Sequence, residues 1–319
     1  MKKIYISLLS FTLVTLLFTT ATFAFFSVAH TSSIDGLSFA ASSGDELELS
    51  FDGIEYYNIL PSSPLEKSAD GIKLYDVTSL DGINFQTGGL RVVGEAIPNE
   101  YYLSFDLWIR TSQAEHDIFL INDVSKGMKF GDKRDGTYFI SKGVTWRSPL
   151  TFFNGPSIND VVRQGDIGIY YASEALRLSI IELKDENNLN DLRDEADLRV
   201  FMYDPSRNPY RGYGATFGQF SYYFQKTMVY VDLPKEIPNV SFRLSEMDPN
   251  NPYQALDNES LVATLQPSGL IEPKKNKEYY SGKIRVNVWI EGWDADAFDA
   301  LDQDLIQIQL QFKAARRAE

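Results

Sequence analysis

Three stretches of the chain alternate apolar and polar residues with a period of two, and this alternation limits the fold more than any other feature. In 101–110, Leu103, Phe105, Leu107 and Ile109 share one face, and Tyr102, Ser104, Asp106, Trp108 and Arg110 share the other. In 284–291, Ile284, Val286, Val288 and Ile290 alternate with Arg285, Asn287, Trp289 and Glu291. In 306–312, Ile306, Ile308, Leu310 and Phe312 alternate with Gln307, Gln309 and Gln311. Each reads as a strand with one face in the core. Shorter strands are expected over 47–51, 118–122, 137–140, 167–171, 176–183, 198–203, 228–233, 240–244 and 261–265. Asp52-Gly53, Asp70-Gly71, Asp81-Gly82, Asp135-Gly136 and Asn154-Gly155 are turn signals between them. Many short strands joined by such turns predict an all-β sandwich of jelly-roll type. Helix is sparse: one short helix is expected over 294–303 and a single turn over 158–163. No internal repeat is evident.

The N-terminus follows a different rule. Lys2 and Lys3 precede an apolar run from Ile4 to Phe18, and Ala21-Thr22-Phe23-Ala24 supplies small residues. That is the layout of a secretory signal, with cleavage expected between Ala24 and Phe25. The expected organisation is a signal at 1–24 and one elaborated sandwich domain at 25–319, with a polar insertion near 184–218. The alternative is a retained anchor, since 4–28 is long enough to span a bilayer, which takes roughly 20 apolar residues. After cleavage no further long apolar run remains, so no membrane contact is expected.

The formal net charge is −14 with no cysteine and two histidines. A chain this acidic is repelled by nucleic acid and anionic membranes. Without cysteine the fold is held by its core alone, and most zinc-site designs are removed. No metal and no cofactor is expected. Five aspartates, Asp294, Asp296, Asp299, Asp302 and Asp304, crowd one segment. Oxygen-rich clusters can hold calcium, but this spacing lacks the central Gly and closing Glu of the helix–loop–helix site. Asp294 as a helix N-cap is the expected role. His116 reads as an exposed loop residue, no Gly-x-Ser-x-Gly elbow occurs, and Gly212, Gly214 and Gly218 miss the dinucleotide spacing, so no catalytic residue is assigned. Trp108 and Trp289 lie on the polar faces of strong strands. There they form a candidate aromatic ligand surface for sugar rings, unless a loop covers them.

Two sets of residues carry a resemblance. Ala21-Thr22-Phe23-Ala24-Phe25-Phe26-Ser27 and Asp35-Gly36-Leu37-Ser38-Phe39-Ala40 resemble the processed N-terminus of camelysin/TasA-type exported proteins of Gram-positive bacteria. The body, through 49–53, 105–110 and 288–298, is similar to a larger group of exported β proteins. The resemblance implies a dedicated signal peptidase, a jelly-roll-like sandwich, and fibres in which the N-terminal segment of one subunit adds a strand to the next. Phe25, Phe26 and Ser27 begin the corresponding donor segment here, which runs to Ser33. The expectation is a secreted, non-enzymatic surface or biofilm-matrix protein whose partner is itself or a cell-wall or matrix component. The alternative is a secreted carbohydrate-binding module, and behind it a carboxylate-based hydrolase.

Overall fold

The computed structural model describes residues 11–12, 31–42, 47–60, 72–273 and 275–319. Apart from residues 11–12, the signal region lies outside them, as do the cleavage site at Ala24 and Phe25, Phe26 and Ser27, and Asp70-Gly71. The described chain is all-β and sandwich-like. Among the described residues no helix is long and apolar enough to cross a membrane.

Among the described residues the two large sheets have six and nine strands, and three two-stranded sheets accompany them. The six-stranded sheet is built around the C-terminal strand Leu305–Ala315, which pairs in parallel with Ser32–Ala41 and antiparallel with Asp117–Leu120 and Tyr138–Ser141. The nine-stranded sheet is built around the long strand Lys277–Glu291. Leu176–Leu183 and Gln266–Glu272 pair with it on one side, and Leu103–Thr111 and Asp76–Thr78 on the other. The alternation sends Leu103, Leu107, Ile109, Ile284, Val286, Val288 and Ile290 into the same buried cluster as Ile306, Ile308, Leu310 and Phe312 of the opposite sheet. Burying these side chains at roughly 1.5–3 kcal/mol each is what holds the sheets face to face.

The expected helix at 294–303 is not there. The segment is a run of turns with a 3-10 turn at Asp299–Leu301. Asp294 is buried rather than capping: its carboxylate accepts from Arg177 Nη2 at 2.5 Å and from the Asp296 N–H at 2.9 Å. A buried guanidinium needs that anion more than a short helix needs a cap. The α-helix lies at Gln219–Thr227, in an aromatic sequence that favours strands locally. Tertiary packing decides it: Tyr222 sits among Trp146, Phe152 and Phe298, and its hydroxyl donates to Asp299 at 2.8 Å. Residues 228–233 and 240–244, expected as strands, are irregular, with Ser241 alone bridging to Tyr203. Of the turn expected at 158–163, Ile158 and Asn159 form a turn closed by the Asp160 N–H on Ser157 O at 3.0 Å, and the short strand Val161–Val162 follows. The first half of the polar insertion faces solvent over most of 184–199 and is anchored at a few buried polar residues. Arg193 pairs with buried Glu182 and with Asp191 at 2.7 Å, and Asp185 and Asn188 are buried beside them.

A short repeat does exist. Ser50-Phe51-Asp52-Gly53 and Ser79-Leu80-Asp81-Gly82 fold alike. In each, the Ser hydroxyl donates to the Asp carboxylate and accepts the Gly N–H, and the same carboxylate oxygen accepts the next two N–H groups. Gly53 and Gly82 both hold φ +70, a backbone conformation that side chains with a Cβ disfavour. Both turns lie against the outer face of the nine-stranded sheet.

Candidate functional site

The outer face of that sheet carries the polar half of the alternation. Cross-strand register places Trp108 opposite Lys283, Asp106 opposite Arg285, and Ser104 opposite Asn287. On the other flank Ser179 stands opposite Asn287 and Arg177 opposite Trp289. Directly opposed residues point to the same face, so these side chains form one surface.

Where the surface meets the edge at Leu103–Asp106, it opens into a cleft of about 770 Å³. The edge is open because the neighbouring strand Glu48–Ser50 reaches only Trp108–Arg110. The side-chain amide of Asn99 closes Ser104, donating to its carbonyl and accepting its N–H, both at 2.9 Å. Trp108 lines the cleft from the outer face, and Phe51 and Phe105 line it from the core side of the edge, where both pack on Phe39; all three rings are half-buried. Behind them Phe85 stacks on Tyr102 with ring centroids 4.2 Å apart.

The polar groups of the cleft are fixed. Arg285 grips Asp106 with two donors, Nε to Oδ1 at 2.7 Å and Nη2 to Oδ2 at 3.1 Å, and Lys283 adds a contact at 3.2 Å. Burial alone would raise the pKa of the Asp106 carboxyl, but the bonds and charges of Arg285 and Lys283 outweigh it and hold it below the usual value. Asp106 is therefore an anion and a hydrogen-bond acceptor at neutral pH. The Lys283 ammonium also sits 4.6 Å from the centre of the Trp108 ring. Asn287 donates to Ser179 Oγ at 3.1 Å, and Ser179 Oγ in turn donates to Gly82 O at 2.7 Å. That leaves Asn287 Oδ1 and Trp108 Nε1 buried with no partner among the described residues. Unmet polar atoms of this kind cost about 1–3 kcal/mol each.

The two tryptophans expected to form an aromatic surface therefore separate. Trp108 is in the cleft. Trp289 is fully buried and is no ligand surface. Phe85 covers it, the ring edge-on at 5.1 Å, within a buried cluster that includes Tyr102 and Met202, and Trp289 Nε1 donates to Glu291 Oε2 at 3.0 Å. His116 is half-buried, its Nδ1 2.8 Å from the Ala114 carbonyl oxygen, and no serine nucleophile is paired with it. Among the described residues no group of three or more His, Cys, Asp or Glu is placed to hold a metal ion.

The donor segment reaches the described chain only at its end. Ser32 and Ser33 pair with Leu74 and Lys73, and Ser33 also pairs with Leu305, all within the same chain. The sequence did not single out Asp106, Arg285, Asn287 or the ring of Phe51. The alternation placed Asp106, Arg285 and Asn287 on outer faces, but strand register, which brings them together, is not a local property. No family model, curated protein or solved structure matches the chain, so the geometry of the cleft alone carries the functional reading.

Proposed function

We propose that the chain is an exported, non-catalytic protein of the cell surface or matrix that binds a saccharide in the outer-face cleft. One observation carries this reading: three half-buried aromatic rings share a cleft with a fixed Asp106–Arg285 pair and an unpartnered amide oxygen. The flat, weakly polar faces of sugar rings pack on aromatic surfaces, and their hydroxyls serve carboxylate, guanidinium and amide groups in one plane. Among the described residues Asp106 is the one carboxylate lining the cleft, and it is held ionised. Glycoside hydrolysis generally uses two carboxyl groups, one of them protonated, so the arrangement suits binding rather than cleavage. Export rests on the basic head and apolar run of residues 1–24.

The test is calorimetric titration of the chain lacking residues 1–24 with cellohexaose and chitohexaose. One of the two binds, and Trp108→Ala and Arg285→Ala abolish the heat without loss of fold. If neither sugar binds at millimolar concentration, the reading fails.

The short edge between Ser104, which Asn99 closes, and Trp108, where pairing with Glu48–Ser50 begins, also favours a second reading, strand addition by another copy of the chain. Residues 25–30 would then be the donor, since Ser32 and Ser33 are paired at home. Light scattering would show polymers for the chain starting at Phe25 and none for one starting at Thr31. Monomers in both cases would remove this reading.

A further inference from the structure

A second cleft, of about 820 Å³, lies where the loop 125–136 meets Tyr138–Ser141 and the turn at Ala172–Glu174. Its charge opposes that of the whole molecule. The chain is net −14, yet this cleft is lined by Lys126, Lys129, Lys142 and Arg207, with Glu174 as its one acid. Arg207 is committed to Asp123 at 2.7 Å. Lys126, Lys129 and Lys142 make no salt bridge among the described residues, although acids outnumber bases in the chain. Burial, and then repulsion from Asp296 and Asp204, push the Glu174 carboxyl upward, which weakens the only counter-charge in the cleft.

The loop that carries Lys126 and Lys129 is pinned by the outer face of the C-terminal strand, and Lys142 follows the strand Tyr138–Ser141. Gln307 Oε1 accepts the Gly131 N–H at 2.8 Å. Gln309 Nε2 donates to Arg134 O at 2.8 Å and to Gly136 O at 2.7 Å. Asn122 Nδ2 reaches Gln311 Oε1 at 3.4 Å. Within the loop, Lys129 N–H donates to Asp132 Oδ2 at 2.9 Å, and Asp132 N–H to Lys129 O at 2.9 Å. Gln307 and Gln309 thus fix the loop, with Gln311 holding the chain that enters it at Asn122, and this keeps Lys126 and Lys129 beside Lys142 around one space. Unpaired cations kept together repel, and an anion bound between them relieves that repulsion.

We infer that this cleft is an anion site and that its ligand is the phosphate ester of a sugar or polyol, free or as a unit of a polymer. The ammonium groups are point charges suited to a tetrahedral phosphate, whereas the one guanidinium, which would grip a planar carboxylate, is already engaged. Met128, Phe130 and Tyr171 give the cleft apolar walls that fit the carbon body of an ester and have no use for bare phosphate. The site shares no residue with the saccharide cleft and stands or falls independently of it.

The test is calorimetric titration of the chain lacking residues 1–24 with glucose 1-phosphate, inorganic phosphate and glucose. Glucose 1-phosphate binds, inorganic phosphate binds at least tenfold more weakly, and glucose does not bind here. The triple variant Lys126→Gln, Lys129→Gln, Lys142→Gln loses at least tenfold in affinity for glucose 1-phosphate, and raising the salt concentration weakens the parent chain. Trp108→Ala leaves this binding unchanged. The three lysines are exposed, so the variant keeps the fold, which its unchanged melting temperature verifies. Equal affinity in parent and triple variant, or no binding of glucose 1-phosphate, overturns the site. Equal affinity for inorganic phosphate and the ester overturns the ester assignment.

Discussion

The two Ser-x-Asp-Gly turns are nearly identical in sequence and hydrogen bonding, yet the chain around them leaves the two outer-face tryptophans in opposite states. The turn at 79–82 lies flat on the sheet: a Cβ on Gly82 would meet Ser179 Cβ at 2.8 Å and Met202 Cγ at 2.9 Å. Its carbonyl oxygen accepts from Ser179, and the chain beyond it carries Phe85 over Trp289. The turn at 50–53 rests on one edge of Trp108, where a Cβ on Gly53 would meet Nε1 at 3.1 Å, and the chain then moves away. The same local device completes the core in one place and leaves a ring at the mouth of a cleft in the other. The path of the chain beyond each turn decides whether the tryptophan becomes core or surface.

That contrast can be broken by mutation. Trp289→Ala should cost about 3–5 kcal/mol in chemical denaturation, as for other buried large-to-small changes. Trp108→Ala should cost clearly less, because that ring is already half exposed. Equal losses would mean that Trp108 is core. Leu310→Ala, on the inner face of the C-terminal strand, should cost about 2–5 kcal/mol. A smaller step separates the turns themselves. Either glycine replaced by Ala should cost about 1–2 kcal/mol for its positive φ. Gly82→Ala should cost more than Gly53→Ala, since its new methyl group meets fixed atoms on the sheet. The reverse order would show that the 79–82 turn yields more readily.

The smallest effect is on pH. Asp106 in the cleft and the buried Asp294 are shifted in opposite directions. Burial raises the Asp294 carboxyl well above its ordinary value, and the Arg177 charge only partly offsets this. A raised acid binds its proton more tightly when folded, so its stability penalty is full above its folded pKa and is relieved as pH falls towards 3.8. Asp106 is lowered, so its contribution is full above 3.8 and is lost below that, as pH falls through its folded pKa. The stability of Asp294→Asn relative to the parent chain should therefore improve as pH rises. Asp106→Asn should lose its disadvantage only in strong acid. A difference between Asp294→Asn and the parent that stays constant with pH would contradict the raised Asp294.

The core was legible because alternation is written in the chain: the strands at 103–111, 176–183 and 305–315 follow from it nearly to their ends. Coverage was not legible. Nothing in Val288-Trp289-Ile290 says that Phe85, about two hundred residues earlier, will close over the ring. The aromatic run Phe220-Ser221-Tyr222-Tyr223-Phe224 folds as a helix because Trp146, Phe152 and Phe298 receive Tyr222, a tertiary effect that local propensity opposes. Asp294 departs from the capping role its sequence suggests for the same reason: its partner, Arg177, arrives from a strand that only the sheet brings near. The three glutamines at 307, 309 and 311 were visible as a polar face, but their role in holding the lysine loop needed the register of the sheet.

Saccharide binding around Trp108 can be tested residue by residue, because the chain holds four tryptophans, Trp108, Trp146, Trp289 and Trp293. Each gives an indole N–H signal in a nitrogen-15 correlation spectrum. Titration with the sugar that binds in calorimetry should shift the Trp108 signal, whose N–H has no partner among the described residues, and leave that of Trp289, bonded to Glu291, in place. A spectrum in which Trp108 stays still while sugar is bound would contradict the account.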